Sequence, residues 1–359
     1  MWGDIAIAFL LAFITAYVVT PYTIRFAKKI GALDMPKKRK MHDHPMPRLG
    51  GIAIIAGFIV SIIYLLTVMS IEKTITLNGP DNYTIKLLGF FAAIFVLSVF
   101  CFLDDWKGIP PYIKLVGQII AAVIITFSGI RIDKIVINHL NTIISNETIS
   151  IIITIIWIVG IINAINLIDG LDGLSSGISL ISCLSLIIIF TLNSSPLISI
   201  ILITSLAGSL VGFLPFNFNP AKTFMGDIGS NFLGLALAVI SILGVAKTYT
   251  AIVVIAPLIV FALPLVDTVF AIIRRIIKTH SIRGVFKADR EHLHHKLMKR
   301  GYTQKQAVFM LYGVSATLGM FAIIFLESGL WKAISFALIV AAIAAIGLKD
   351  ILKLRNEDK

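Results

Sequence analysis

Long apolar segments alternate with short polar ones along nearly the whole chain. A helix needs about 20 mainly apolar residues to cross the hydrocarbon core of a bilayer, and uncharged segments of that length recur throughout. The uncharged stretch 173–221 alone is long enough for two helices, with a turn predicted at 193–196. The pattern predicts eleven spanning helices, over residues 5–25, 49–69, 87–103, 113–130, 149–166, 175–193, 197–214, 229–246, 251–273, 306–326 and 331–348.

Composition supports this all-α, polytopic membrane class. Hydrophobic residues make up 58% of the 359 residues and charged residues only 14%, with a mean hydropathy of +0.96, whereas soluble domains are about 25% charged. A water-soluble fold is therefore excluded. The predicted helices leave no room for a large extramembrane domain, so we expect one transmembrane domain over residues 1–359. Cys101 and Cys183 lie in apolar segments and predict packing, not a disulfide or a zinc site.

The distribution of basic residues predicts the orientation in the membrane. With the N-terminus outside, 25 of the 31 Lys and Arg residues fall on the inner side and 6 on the outer side. The positive-inside rule favours this orientation, with a cytoplasmic C-terminus. The formal charge of +12 comes from residues scattered between apolar segments, so we expect a lipid bilayer and no nucleic acid as partner. The predicted inner loops are 28–48, 104–112, 166–174, 215–230 and 274–305.

Acidic side chains gather at the inner ends of the predicted helices. Asp104 and Asp105 are adjacent carboxylates, which either cap a helix or bind a divalent metal or phosphate, because oxygen ligands suit Mg²⁺. Asp227 precedes a predicted helix, where it either caps the N-terminus or belongs to a phosphate and metal site. The residue types and their spacing leave both pairs of alternatives open.

The segment 163–174 ends an otherwise apolar helix with polar side chains. Asn163 and Asn166 are three residues apart, as are Asp169 and Asp172, so each pair would lie on one helix face. Polar groups at such a position are costly without partners. This segment therefore favours a ligand site over a simple turn.

The largest predicted inner loop carries an unusual concentration of histidines. His292, His294 and His295 lie within four positions, and together with Arg283 they suit the binding of a diphosphate. The alternative is a basic loop that only fixes the topology.

Two isolated charged residues add to the candidates. Arg48 stands just before a Gly-Gly pair at a predicted helix start. Asp267 lies inside an apolar segment, where it predicts either a functional group or an internal hydrogen bond or ion pair.

Five motifs occur in the order expected of one known family. They are His-Pro-Met-Pro-Arg-Leu-Gly-Gly at 44–51, Leu-Asp-Asp at 103–105, Asn-Ala-Ile-Asn-Leu-Ile-Asp-Gly-Leu-Asp-Gly-Leu at 163–174, Phe-Met-Gly-Asp-Ile-Gly-Ser at 224–230 and Asp-Arg-Glu-His-Leu-His-His at 289–295. On these motifs the chain resembles the polyprenyl-phosphate N-acetylhexosamine-1-phosphate transferases, of the glycosyltransferase 4 type. Its Pro-Arg-Leu-Gly-Gly and His-Leu-His-His forms resemble the branch that uses UDP-N-acetylglucosamine. The branch for UDP-N-acetylmuramoyl-pentapeptide usually has Pro-Thr-Met-Gly-Gly and three consecutive histidines, from which this sequence departs.

The resemblance implies a reaction. Undecaprenyl phosphate, or another polyprenyl phosphate, would attack the sugar-linked phosphorus of UDP-N-acetylglucosamine, giving polyprenyl-diphospho-N-acetylglucosamine and UMP. This would be the first membrane step of a cell-envelope glycan of the teichoic acid or O-antigen kind. One alternative is the same chemistry with another UDP-N-acetylhexosamine or with UDP-N-acetylmuramoyl-pentapeptide. A transporter or flippase of lipid-linked sugars is the alternative from another class, although the sequence has no visible internal repeat.

The resemblance also implies a cofactor, residue roles and a location. Mg²⁺, with Mn²⁺ as a substitute, would be held by Asp227, Asp104 and Asp105. The residues expected to take part in catalysis are Asp104, Asp105, Asp227, His292, His294 and His295. Those expected to contact substrate are Arg48, Asn163, Asn166, Asp169, Asp172, Asn217, Phe224 and Arg283. The protein is expected to be a multi-pass protein of a bacterial inner membrane, with its active site on the cytoplasmic face, and to form a homodimer.

Overall fold

The computed structural model describes residues 2–36, 44–72, 82–132, 136–137, 142–143, 146–245, 251–281 and 291–357. Helices dominate this part of the chain. They are α1 (Trp2–Ile30), α2 (Gly51–Ile71), α3 (Tyr83–Lys107), α4 (Pro111–Phe127), α5 (Glu147–Ile168), α6 (Leu174–Leu192), α7 (Leu197–Asn217), α8 (Gly226–Val245), α9 (Ala251–Val260), α10 (Ala262–Thr279), α11 (Leu293–Lys299), α12 (Gln304–Ser328) and α13 (Leu330–Glu357).

Eight of the described helices are long and apolar enough to cross a membrane, and two shorter apolar helices accompany them. The predicted class, a helical polytopic membrane protein, is confirmed. The number of eleven spans and the sides of the two termini stay predictions.

One predicted span is divided in the structure. The segment 251–273 forms α9 and α10, with Phe261 between them. Pro264 has no N–H to donate to the carbonyl of Val260, so the regular helix bonding is interrupted there. The prolines of this segment account for the break.

Two short antiparallel strand pairs complete the described elements. β1 (Leu33–Asp34) pairs with β2 (Met46–Pro47), and β3 (Val136–Ile137) pairs with β4 (Thr142–Ile143). The first pair connects the end of α1 to the start of α2, and it fixes the chain just before Arg48.

Helix α8 lies at the centre of the bundle. Buried residues make up 94% of its most apolar window, against 22% for α1. It packs on α2, α3, α5, α6 and α7, and a side chain at Gly234 would collide with the backbone of Ile162 in α5. Small residues allow such close helix contacts in membranes, where packing drives association.

The polar ends of the central helices meet at one end of the bundle. There, α3, α5 and α7 end, and α4, α6 and α8 begin. Hydrogen bonds join their terminal residues to one another, as described below. We call this region the site end.

Candidate functional site

The first loop and the start of α8 are joined by main-chain hydrogen bonds. Phe224 N donates to Pro47 O at 2.8 Å, Gly50 N donates to Phe224 O at 3.0 Å, and Gly51 N donates to Met225 O at 2.8 Å. These bonds bring Arg48 to the N-terminus of α8, although the two lie far apart in the sequence.

Gly226 lies at the closest approach between these segments. Its φ is +71°, a conformation that side chains disfavour. A Cβ here would also collide with the carbonyl oxygen of Arg48 and approach the Asp105 carboxylate. Glycine is therefore required by both the backbone conformation and the available space.

Asp105 caps helix α8 from the end of α3. One of its carboxylate oxygens accepts from Asp227 N and the other from Ile228 N, each at 2.9 Å. The residue is only 3% exposed. Of the alternatives that the sequence left open, a helix-capping role thus applies to Asp105, although the helix that it caps is not its own.

Asp227 projects from the first turn of α8 toward two donors. Its Oδ1 accepts from Lys114 Nζ at 2.9 Å and from Asn166 Nδ2 at 2.6 Å. Lys114 also donates to Asp104 Oδ2 at 2.9 Å, while Asp104 Oδ1 accepts from Ile109 N at 2.8 Å. A single ammonium group therefore joins the carboxylates of Asp104 and Asp227.

Arg48 provides the second cation of this group. Its guanidinium lies 3.4 Å from Asp105 Oδ1, 3.6 Å from Asp227 Oδ2 and 4.0 Å from Asp34 Oδ1. Its side chain is 30% exposed, more than those of the acids that it faces. We call Asp104, Asp105, Asp227, Lys114 and Arg48 the carboxylate cluster.

A cavity of about 560 Å³ opens beside the carboxylate cluster. Asp227, Arg48 and Ser230 form part of its wall. The other predicted site residues that line it are Asn166, Asp169, Asp172, Asn217, Phe224 and His295. The motif residues therefore make much of the cavity wall polar.

Asp169 differs from the other acids of the cavity wall because no described residue forms a hydrogen bond with its carboxylate. Burial raises the pKa of Asp169 to about 8, and the negative charges of Asp227 and Asp105 add to this effect. At neutral pH its carboxyl is therefore mainly protonated. It can donate a hydrogen bond into the cavity.

Asp172 and Asn217 shape the loop between α7 and α8. Asp172 Oδ2 accepts from Asn219 Nδ2 at 2.9 Å and from Ala221 N at 3.1 Å. Asn217 donates to Thr223 O at 3.0 Å and accepts from the Ser176 hydroxyl at 2.8 Å. Both side chains thus hold the wall of the cavity in place.

The histidines lie at the start of α11. His292 Nδ1 lies 2.8 Å from Asp267 Oδ2, and Leu293 N donates to Asp267 Oδ1 at 3.0 Å. Asp267 therefore forms an internal hydrogen bond, one of the alternatives that the sequence left open. We call Asp267, His292, His294 and His295 the histidine segment.

Only one of these histidines reaches the cavity. His295 lines it, whereas His292 and His294 are 4% and 3% exposed and lie behind it. Burial lowers the pKa of His294 to about 3, with further lowering by its neighbours His295 and His292. His294 is therefore neutral at physiological pH. Its Nδ1 is buried without a hydrogen bond among the described residues.

Asp104 and Asp105 do not line the cavity themselves, and two further predicted site residues belong to neither the carboxylate cluster nor the cavity wall as described. Asn163 does not line the cavity; it donates to Gln118 Oε1 at 2.7 Å and to Val159 O at 2.8 Å, one turn deeper in the bundle. Arg283 lies outside the described residues.

The sequence interpretation missed Lys114, which it counted only as a charge on the inner side. A lysine at the start of an apolar span is itself a signal of function, because such a residue needs a partner. It also missed Ser230, which accepts from Asn166 at 2.9 Å, and Gln118 and Asn231, whose side chains bond to each other at 2.8 Å. Nothing local in the sequence pairs the last two.

A bundle of membrane-spanning helices with carboxylates, cations and imidazoles around a polar cavity at one end defines a class: integral membrane proteins that handle charged ligands at the membrane surface. Residues 87–245 match the model of the family described as glycosyl transferase family 4.

Three relatives extend this match. The chain is 35% identical over 98% of its length to a Bacillus subtilis protein named probable undecaprenyl-phosphate N-acetylglucosaminyl 1-phosphate transferase, of which it covers 93%. It is 30% identical over 86% of its length to a Mycobacterium tuberculosis decaprenyl-phosphate N-acetylglucosaminephosphotransferase, of which it covers 79%. It is 32% identical over 87% of its length to a Haemophilus influenzae undecaprenyl-phosphate alpha-N-acetylglucosaminyl 1-phosphate transferase, of which it covers 83%. The chain belongs to glycosyl transferase family 4, and the resemblance inferred from the motifs is confirmed.

Proposed function

We propose that this protein transfers N-acetylglucosamine 1-phosphate from UDP-N-acetylglucosamine to a polyprenyl phosphate, and that the whole chain forms one transmembrane catalytic domain. The names of its relatives support the activity. The observation that carries the proposal is the position of Asp227, which Lys114 and Asn166 hold at the wall of a polar cavity.

The cavity suits a nucleotide sugar. Its volume of about 560 Å³ is within the usual range of about 300 to 1,000 Å³ for small-molecule sites. Arg48 supplies a partly exposed cation for the diphosphate, and Phe224 offers an aromatic surface for the base. A protonated Asp169 would add a hydrogen-bond donor without repelling the phosphates.

The acceptor phosphate needs little activation by a base. The second pKa of a phosphate monoester is about 6, so it is largely ionised at neutral pH. Its oxygen would form a new bond to the sugar-linked phosphorus while the bond from that phosphorus to the bridging oxygen breaks and UMP leaves. Lys114, already shared between Asp104 and Asp227, is the cation that would orient it. Catalysis then consists mainly of positioning and charge stabilisation.

A magnesium ion fits Asp227 best. Asp227 lines the cavity, and its Oδ2 lies 3.6 Å from the Arg48 guanidinium. Among the described residues, no three His, Cys, Asp or Glu side chains are arranged to hold a metal alone. This agrees with magnesium, which commonly takes one or two carboxylates and completes its shell with substrate phosphates and water. Bound there, Mg²⁺ or Mn²⁺ would neutralise diphosphate charge.

The remaining acids divide between two roles. Both oxygens of Asp105 are occupied by main-chain N–H groups of α8, so we assign Asp105 to positioning Asp227. Asp104 accepts one hydrogen bond on each oxygen, from Ile109 N and Lys114 Nζ, so it would join the metal through a remaining lone pair. His295, which also lines the cavity, would contact the diphosphate or the sugar.

The location follows from the same assignment. The distribution of basic residues favours a cytoplasmic site end in a bacterial inner membrane, where nucleotide sugars are available. We also propose that the protein forms a homodimer and that its product is used to make a cell-envelope glycan.

The test is release of UMP by the purified protein in detergent, with UDP-N-acetylglucosamine, undecaprenyl phosphate and Mg²⁺. UMP and a lipid-linked sugar should appear together, and neither should form without the lipid or in excess chelator. Parallel reactions with UDP-N-acetylgalactosamine and UDP-N-acetylmuramoyl-pentapeptide define the donor. Absence of UMP with every donor, combined with movement of a lipid-linked sugar across liposomes, would replace the transferase with a flippase.

A further inference from the structure

Directly beneath the site, three amide side chains, two of them buried, form a continuous hydrogen-bonded row. Asn163 Nδ2 donates to Gln118 Oε1 at 2.7 Å, Gln118 Nε2 donates to Asn231 Oδ1 at 2.8 Å, and Asn231 Nδ2 donates to the main-chain oxygen of Asp227 at 2.8 Å. Gln118 is 1% exposed and Asn231 is fully buried. We call Asn163, Gln118 and Asn231 the amide layer.

The amide layer repeats the arrangement of the site one helical turn deeper. Gln118 follows Lys114 by four residues on α4, and Asn231 follows Asp227 by four on α8. On α5, which runs the other way, Asn163 precedes Asn166 by three. Residues three or four apart share a helix face. Helices α4, α5 and α8, which carry Lys114, Asn166 and Asp227, are therefore hydrogen-bonded to one another one turn below these residues.

We propose that the amide layer is a positioning device for Asp227. The first turn of α8 is held from two sides: Asp105 accepts the N–H groups of Asp227 and Ile228, and Asn231 donates to the carbonyl of Asp227. Gln118 fixes the orientation of Asn231 and also sets the spacing between α4 and α8, across which Lys114 reaches the Asp227 carboxylate. This inference rests on the proposed function for its kinetic measurement and on the proposed Mg²⁺ site at Asp227 for its binding measurement.

The choice of residue types supports positioning over simple packing. An amide in the interior of a membrane bundle is costly unless it is bonded. Leucine would fill a similar volume with no such requirement. Three consecutive amides whose bonds end on the backbone of Asp227 thus maintain a geometry that apolar side chains would leave undefined.

The test compares Asn231→Leu with a double variant, Gln118→Leu with Asn231→Leu. The single variant leaves an amide of Gln118 unsatisfied and should lower the unfolding temperature. The double variant removes both partners, which restores much of the stability in such pairs. In both variants, kcat for UMP release should fall about tenfold to a hundredfold, while KM for UDP-N-acetylglucosamine changes little. Asn163→Leu, at the far end of the row, should have the smallest effect.

A matched control is the pair Ser61→Ala with Ser205→Ala. These hydroxyls form another buried interhelical bond, at 3.0 Å, between α2 and α7. The control should lose stability without a change in kcat. Return of kcat to the wild-type value in the stable double variant would overturn the proposal, since the amides would then be purely structural. A wild-type kcat in Asn231→Leu would overturn it as well.

A second measurement separates this inference from the proposed function. Unfolding temperature is recorded with UDP-N-acetylglucosamine and increasing Mg²⁺, a signal that needs no turnover. If Asp227 is misplaced, the Mg²⁺ concentration for half of the maximal shift should rise about tenfold in the double variant. An unchanged Mg²⁺ dependence would contradict the inference. Lack of UMP release by the wild-type protein would instead contradict the proposed function alone.

Discussion

The carboxylate cluster and the histidine segment each contribute part of the wall of one cavity, but they balance their charges differently. In the cluster, Lys114 and Arg48 compensate three carboxylates, and main-chain N–H groups occupy further oxygens. In the histidine segment, Asp267 holds His292, while His294 is neutral and has an unbonded ring nitrogen. The first region therefore supplies electrostatics that exist before a substrate arrives. The second supplies shape and hydrogen bonds.

Replacing Asp227, in the carboxylate cluster, should reduce activity more than any replacement in the histidine segment. Asp227→Ala removes the carboxylate that faces the cavity, so UMP release should fall about a thousandfold while the protein still inserts and folds. The same assay on Glu147→Ala is the control, because Glu147 is an exposed acid at the opposite helix end, paired with Arg131 at 2.8 Å. Substantial turnover in Asp227→Ala would remove this residue from the mechanism.

Replacing Asp267 should have a smaller effect on the same assay. Asp267→Asn weakens the bond to His292 and the cap on Leu293 N. His295 would then be less well positioned, and kcat should fall about tenfold to a hundredfold. His292→Asn, and the double variant Asp267→Asn with His292→Asn, should each lower kcat by a similar factor, because the two residues form one hydrogen-bonded pair. If the losses multiplied, the two residues would act separately and the comparison drawn above would fail.

Replacing Lys114 tests whether the cluster is balanced before substrate binds. Lys114→Met leaves the carboxylates of Asp104 and Asp227 facing each other without their shared ammonium. These partly buried carboxylates would then repel each other, so the unfolding temperature should drop. Added Mg²⁺ should raise the unfolding temperature of this variant by more than it raises that of the wild-type protein. Equal responses to Mg²⁺ would show that the ion binds elsewhere.

The smallest expected effect concerns the pH dependence of stability. The pKa of Asp169 is raised to about 8 by burial and by the charges of Asp227 and Asp105, so the folded protein keeps a proton that the unfolded chain releases near pH 4. The stability from this proton is lost as pH rises from about 4 to about 8. The unfolding temperature of the wild type should therefore fall more steeply over that range than that of Asp169→Asn. Parallel curves would contradict the raised pKa.

The sequence predicted which segments come together but not which of their side chains bond to one another. Hydropathy and charge predicted that Asp104, Asp169 and Asp227 lie at helix ends on one side of the membrane, and the structure places all three at the same end of the bundle. The bond from Asp227 N to Asp105 spans 122 residues, and that from Lys114 to Asp227 spans 113. Such pairings depend on helix rotation and depth, which an apolar pattern leaves undetermined.

Local rules explain other differences from the sequence predictions. The break at Phe261 could have been predicted from the prolines of that segment, because each removes a helix hydrogen bond. The cavity location of His295, behind which His292 and His294 are buried, could not. It depends on Asp267, a residue that the sequence alone left between two interpretations.

The pairing of the first loop with the start of α8 has a consequence for synthesis of the chain. Thr223 Oγ1 donates to the carbonyl oxygen of Pro47, 176 residues earlier. At about 5 to 20 residues per second, a ribosome needs about 10 to 35 s to extend the chain from one to the other. During that interval the helices that precede α8 are being made, but the residues at the start of α8 are not yet present. A translation product that stops before α8 therefore lacks Asp227 and the segment to which the loop before α2 is bonded.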